Sequence, residues 1–211
     1  MTFTLRKGIL FAVLAIVLVL LVHAAYASQL LVFVQGNFSE TSDKSSILAG
    51  IAAAFFKKGD IDTAEQIYEK SLELNQEDSQ AHYNHGVSLY YTNDIDGAEE
   101  EFRKSIELNS GYGLAHYSYG LLLYHEKRLD EAVNELGIAY SLDPENPQIA
   151  YDLAISLSDD FRYDHGEISN LESAQSFFEE AAIRDYPHAR DNAETIKRII
   201  AEYYDYISQH S

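Results

Sequence analysis

SQAHYNHGVSLYYTNDIDGAEEEFRKSIELNSGY, residues 79–112, is the stretch whose reading decides the fold. It divides at Thr92-Asn-Asp94, a turn-forming triplet between two segments of helical period. Small residues stand at Gly86 and Ala98, an aromatic residue at Phe102 and a serine at Ser105. Moving outward by 34 residues finds the same kinds of residue again. Ala52, Gly86, Gly120 and Ala154 form one series, and Ala64, Ala98 and Ala132 a second. Tyr68, Phe102 and Leu136 form a third, and Ser71, Ser105 and Ala139 a fourth. Small residues at fixed places let two helices approach closely, and bulky ones fill the space between successive pairs.

The other turns fall in step. Lys58-Gly59-Asp60 and Glu126-Lys127-Arg128 split the neighbouring repeats as Thr92-Asn93-Asp94 splits this one. Asn75, Asn109-Ser-Gly111 and Asp143-Pro144-Glu-Asn-Pro147 close each unit, proline ending the helix in the last. The 34-residue step, with Gly or Ala at the eighth position, Ala at the twentieth, an aromatic or Leu at the twenty-fourth and Ser or Ala at the twenty-seventh, resembles the tetratricopeptide repeat family. His82 and His116 stand where that family often has Trp. The resemblance implies an all-α, right-handed superhelical solenoid of antiparallel helix pairs. Its four repeats span 45–78, 79–112, 113–146 and 147–187, and an amphipathic capping helix follows over 188–208 with Ile196, Ile199, Ile200, Tyr203 and Ile207 on one face.

The fourth repeat breaks step. Its first helix is expected from Pro147 to about Leu157, but Ala174, Phe178 and Ala181 come eight residues later than the period requires. The extra segment, Ser158-Asp-Asp-Phe-Arg-Tyr-Asp-His-Gly-Glu-Ile-Ser169, is assigned to the turn between the two helices.

Ahead of the repeats, Arg6 and Lys7 precede an uncharged apolar run from Gly8 to Val22, followed by His23-Ala-Ala-Tyr-Ala27-Ser28. A basic start, an apolar centre and a small-x-small exit describe an export signal over 1–27, cleaved before Ser28. The apolar run resumes over 30–34, so 8–34 also fits an uncleaved N-terminal hydrophobic helix that anchors the chain in a membrane. Either way the basic end stays in the cytoplasm and the repeats cross, making membrane contact through this segment only. Arg6-Lys7-Gly8 resembles a type IV prepilin processing site without its acidic residue, and the absence of cysteine excludes a lipoprotein. Residues 35–44 are polar and turn-rich, as in a linker, and Asn37-Phe38-Ser39 is a glycosylation sequon.

The charge narrows the partners. Across 211 residues, 34 acidic and 15 basic side chains give a net charge of −19, a field that repels a phosphate backbone, so no nucleic acid is expected. Without cysteine, neither disulfide nor thiolate metal site is available. There is no Gly-x-Ser-x-Gly, no His-Glu-x-x-His and no glycine-rich phosphate loop, so no catalytic residue and no cofactor is assigned. His82, His85 and His116 on neighbouring first helices invite a metal reading, but they lack further ligands and read as buried aromatics in place of Trp and Leu. The acidic set Asp159, Asp160, Asp164, His165 and Glu167 lacks EF-hand spacing and reads as a solvated loop.

By family resemblance the first helices line a concave groove. On them Tyr83, Tyr117 and Tyr151 recur as a ladder, joined by Tyr90, Tyr91, Leu121, Tyr124 and His125. Each tyrosine offers a broad apolar ring with a hydroxyl tip, suited to holding a protein or peptide. Some relatives grip a C-terminal carboxylate here with Lys, Asn and Arg. Asn84 matches one element, but Ala49 and Ala53 stand where the clamp wants Lys and Asn, so that ligand is not expected. The expectation is a scaffold rather than an enzyme, with a self-associating module as the alternative.

Overall fold

In the repeats of this chain, one backbone motif recurs at the ends of the first helices. Gly59, Asn93 and Lys127, spaced 34 residues apart, all have positive φ (81°, 66° and 62°), each one residue past the C-cap of a first helix. The next N–H reaches back five residues, Asp60 to Phe55, Asp94 to Leu89 and Arg128 to Leu123, at 2.9–3.1 Å. The left-handed residue itself bonds three back, to Phe56, Tyr90 and Tyr124. This double bond satisfies carbonyls the helix end leaves open and turns the chain sharply. Asp185 (φ 57°) repeats it, with Tyr186 N–H on the Ala181 carbonyl.

The computed structural model describes Gln29 and residues 41–163 and 167–210. The chain divides into two compact units, the first ending at Asp94 and the second beginning at Ile95. The first holds α1 (Thr41–Lys57), α2 (Ile61–Leu74) and α3 (Ser79–Tyr91). The second holds α4 (Ile95–Leu108), α5 (Gly113–His125), α6 (Leu129–Leu142), α7 (Pro147–Tyr163), α8 (Ile168–Ile183) and α9 (Ala189–His210). No strand occurs among the described residues.

In the first unit α1 and α2 form a hairpin and α3 packs on α2. Leu48, Ala52, Ala64, Ile67 and Tyr68 make its core, ringed by Phe55, Phe56 and Leu74. The Ser71 hydroxyl donates to the Ser45 carbonyl at 2.7 Å, pinning α2 to α1 where both side chains are fully buried. In the second unit α5 pairs with α6 and α7 with α8, while α4 packs on α5 and α9 on α8. Leu136, Leu153, Ala154, Leu157, Leu171, Ala174, Phe178, Ala193 and Ile196 form its main core.

The periodic residues of the sequence are the buried ones. Ala52, Ala64, Ala98, Ala132, Ala154 and Ala174 have no exposed surface, and Tyr68, Phe102, Leu136 and Phe178 are at most 2% exposed. Burying each bulky side chain contributes about 2–3 kcal/mol. The close approach is most acute at Gly120, where a Cβ would stand 2.7 Å from Leu136 Cγ and 3.1 Å from the Leu136 nitrogen. Caps vary between repeats. Asp78 accepts from the N–H groups of Gln80 and Ala81 at the start of α3, and Asn146 accepts from Gln148 N–H at the start of α7, whereas Tyr112 at the start of α5 gives no side-chain cap.

Several boundaries differ from the sequence reading. α1 begins at Thr41, inside the segment assigned to a linker. The extra residues of the fourth repeat are not all a turn: α7 runs on to Tyr163 and takes 158–163 as helix, and α8 begins at Ile168. Phe161 packs on the main core, and Asp160 is buried and accepts a hydrogen bond from the Asn170 amide of α8. Residues 158–161 stay helical because the lengthened helix still finds apolar and polar partners there. α9 spans the capping helix, but its apolar stripe is covered only in part. Ile196 is buried and Ile199 and Ile200 pack on the core, whereas Tyr203 and Ile207 are exposed. Apart from Gln29, the apolar segment 8–34, with the cleavage position before Ser28, lies outside the described residues, as do Asn37, Asp164 and His165. Among the described residues, no helix is long and apolar enough to cross a membrane.

Candidate peptide-binding surface

Charge is spread unevenly among the helices. α3 and α5 contain no Asp, Glu, Lys or Arg, whereas α4 carries Asp96, Glu99, Glu100, Glu101, Arg103, Lys104 and Glu107. In a chain of net charge −19, two helices without a formal charge present surfaces of a different kind.

In the second unit Tyr117, Leu121 and Tyr124 lie at i, i+4 and i+7 on α5, one face of the helix. Opposite them on α7 stand Gln148, Asp152, Ile155 and Asp159, with the same stride. The Tyr117 hydroxyl donates to Asp152 Oδ2 at 2.6 Å and accepts from Gln148 Nε2 at 2.8 Å. The Tyr124 hydroxyl donates to Asp159 Oδ2 at 2.7 Å. Two tyrosines of one repeat thus clasp two aspartates of the next, each pair 35 residues apart in sequence. Leu121 packs on the core, and His125 is exposed with its ring edge-on to Tyr124 at 5.7 Å.

Burial, then the hydrogen bond and charge of Asp152, push the Tyr117 hydroxyl far above the usual phenol range. Burial also raises Asp152 above the usual carboxylate range, outweighing the Tyr117 hydrogen bond and the charge of His125. Tyr186, in the α8–α9 turn, is raised by burial and then by the Asp152 charge. Tyr151 faces this turn. Its ring packs edge-on to Phe178 at 5.3 Å and tilted to Tyr186 at 4.9 Å, and its hydroxyl accepts from Asn192 of α9 at 3.0 Å. It braces the end of the unit as much as it lines a surface.

In the first unit Tyr83 is half-buried, while Tyr90 and Tyr91 are 37% and 65% exposed. Tyr91 stands edge-on to Phe56 at 5.3 Å. A cavity of about 210 Å³ opens between α1 and α3, lined by Ser46, Ala49, Gly50, Ala53, Asp78, Gln80, Ala81 and Asn84. Its one charged wall residue is the acid Asp78, so a terminal carboxylate meets no counter-charge there.

The other candidates disperse. His82 is buried with Nε2 3.0 Å from the Gln76 carbonyl, and His116 is buried with Nε2 3.1 Å from the Ser110 carbonyl, six residues earlier in both cases. His116 Nδ1 also meets Glu135 at 2.7 Å. His85 is buried and its ring is tilted to Tyr68 at 6.3 Å. Among the described residues, no group of three or more His, Cys, Asp or Glu is placed to hold a metal ion. Of the acidic set, Asp159 bonds to Tyr124, Asp160 to Asn170, and Glu167 is exposed. Sequence reasoning missed the partners Asp152, Asn192 and Tyr186. The available signal was a carboxylate one residue past the 34-residue step from a groove tyrosine.

Residues 49–112 and 83–147 match the tetratricopeptide repeat family profile. Residues 49–147 of the chain therefore carry tetratricopeptide repeats. No curated protein sequence matches it. Among solved structures, it is similar to pilF of Pseudomonas aeruginosa at 22% identity and TM-score 0.62, over 81% of this chain and 78% of that one. It is similar to MamA of AMB-1 at 21% identity and TM-score 0.58, over 78% of this chain and 86% of that one. It also resembles the first TPR of Spaghetti (RPAP3), solved bound to the HSP90 peptide SRMEEVD, at 21% identity and TM-score 0.54, over 56% and 94% of the two chains.

Proposed function

We propose that this chain is an extracytoplasmic scaffold that holds a protein or peptide on the tyrosine-bearing faces of its first helices, and that it serves assembly of a cell-envelope complex. The observation that carries this reading is the sorting of charge: α3 and α5 are uncharged and rich in tyrosine, and α4 is heavily charged. The binding residues are Tyr83, Tyr90 and Tyr91 in the first unit and Tyr117, Leu121, Tyr124, His125 and Tyr151 in the second. The peptide held by the first TPR of Spaghetti supports the use of this fold for such a task. It does not carry over the ligand, since the cavity between α1 and α3 has no basic wall residue.

The basic start and apolar run of the N-terminus support export, with the chain released after cleavage before Ser28 or tethered by 8–34. Site-specific photo-crosslinking in intact cells tests the binding surface, with the reactive residue at Tyr91 or His125 and, as control, at Glu100 on α4. Protein adducts at Tyr91 or His125 and none at Glu100 are expected. Equal yield at all three positions overturns the reading. Intact mass and alkaline extraction of the native protein separate cleavage from anchoring, and repeats recovered in the cytoplasm overturn both.

A second reading, self-association, is favoured by the exposed Tyr203, Tyr206 and Ile207 of α9. A mass that stays dimeric across dilution supports it.

A further inference from the structure

We infer that the α5–α7 face of the second unit takes a basic partner segment, an extended chain whose Lys or Arg side chains reach Asp152 and Asp159 across the rings of Tyr117 and Tyr124. This rests on the peptide-holding reading above and names the partner's chemistry.

Asp152 and Asp159 are seven residues apart on one helix, two turns along the same face, which places them about 10 Å apart. An extended chain covers that distance in about three residues. In each carboxylate one oxygen accepts a tyrosine hydroxyl. Among the described side chains neither acid is paired with Lys or Arg, although such pairs form elsewhere: Arg128 with Glu99 and Glu131, Arg184 with Glu145. The helix opposite, α5, brings no Asp, Glu, Lys or Arg, and His125 at its end is the α5 group whose charge acts on Asp152.

A half-buried carboxylate without a cation is destabilised by lost hydration, as the upward shift of Asp152 reflects, and an arriving ammonium or guanidinium relieves it. The rings contribute as well. The protein's own Lys127 places Nζ 5.2 Å from the centre of the Tyr124 ring, so this ring already receives a cation at its edge of the surface. An acidic peptide meets like charge on this face.

The test measures fluorescence anisotropy of the full chain in detergent with three dye-labelled ten-residue peptides. One carries Lys at two positions three residues apart, and in the others these are Glu or Gln. The Lys peptide is expected to bind, and binding to weaken by about tenfold or more in an Asp152→Asn, Asp159→Asn variant, which keeps both acceptors for the tyrosines. A Glu100→Gln, Glu202→Gln variant loses the same charge from exposed positions elsewhere and is expected to bind as the parent does.

Parental affinity in the Asp152→Asn, Asp159→Asn variant, with its helical circular dichroism intact, overturns the inference and assigns the attraction to diffuse charge. Equal binding of the Lys, Gln and Glu peptides also overturns it, while adducts at His125 would leave the peptide-holding reading standing. No binding by any peptide, together with no adducts at Tyr91 or His125, overturns both.

Discussion

The third and fourth repeats solve the same packing problem with different lengths of chain. α5 has 13 residues and α7 has 17, yet each is followed by a helix that buries alanine and a bulky residue at matching places, Ala132 and Leu136 in α6, Ala174 and Phe178 in α8. The surplus is taken up beyond the helix crossing, where α7 gains residues 160–163, among them Asp160 and Phe161, and none of it shifts the crossing. A repeat of this kind is therefore fixed at its close contacts and free in length past them. The second tyrosine–aspartate clasp, at Asp159, uses the last position that the two helices share.

The severest way to break this equivalence is to charge the crossings. Ala132→Glu and Ala174→Glu each put a carboxylate where no surface is exposed, and each is expected to cost about 3 kcal/mol or more in chemical denaturation. If Ala174→Glu unfolds like the parent while Ala132→Glu does not, the two repeats are not equivalent. A smaller effect is expected at the first-helix position. Gly120→Ala drives a methyl group toward Leu136 and should cost about 1–3 kcal/mol, whereas the matching residue of α7 is already Ala154. Thermal unfolding that shows no loss for Gly120→Ala would mean α5 and α6 can separate without penalty.

The smallest effect sharpens the comparison at the surface. Asp152 is raised in the fold, chiefly by burial, so its contribution to stability is full below the unfolded carboxylate range and is lost as pH rises through the raised value. Asp152→Asn should therefore gain on the parent as pH climbs from about 3 to 7, where the unfolded reference is about 3.9. Melting curves across that range check the sign, and a growing deficit in the variant would mean the charged Tyr117 bond outweighs burial.

Most of the fold was legible because close packing leaves a periodic trace: only small residues fit at Gly120 or Ala132, so the period appears in the residue types themselves. The extent of α7 was not read. Ser158-Asp-Asp is acidic and falls where earlier repeats turn, so it looked like loop. Phe161, four residues past Leu157, continues the apolar stripe and was the clue passed over. The candidate surface was legible as a set of tyrosines but not as a set of bonds. Whether a phenol is free or clasped depends on the neighbouring repeat, and Tyr117 looks the same in sequence whether or not Asp152 reaches it.

α9 is held unevenly along its 22 residues: Ala189, Ala193 and Ile196 are buried, all of 201–210 are exposed, and Tyr204 is tied to Glu172 by a 2.8 Å bond. Amide hydrogen exchange along this one helix should accordingly be graded, slow around Ala193–Ile200 and fast past Ile207, because opening the last turns uncovers almost no apolar surface.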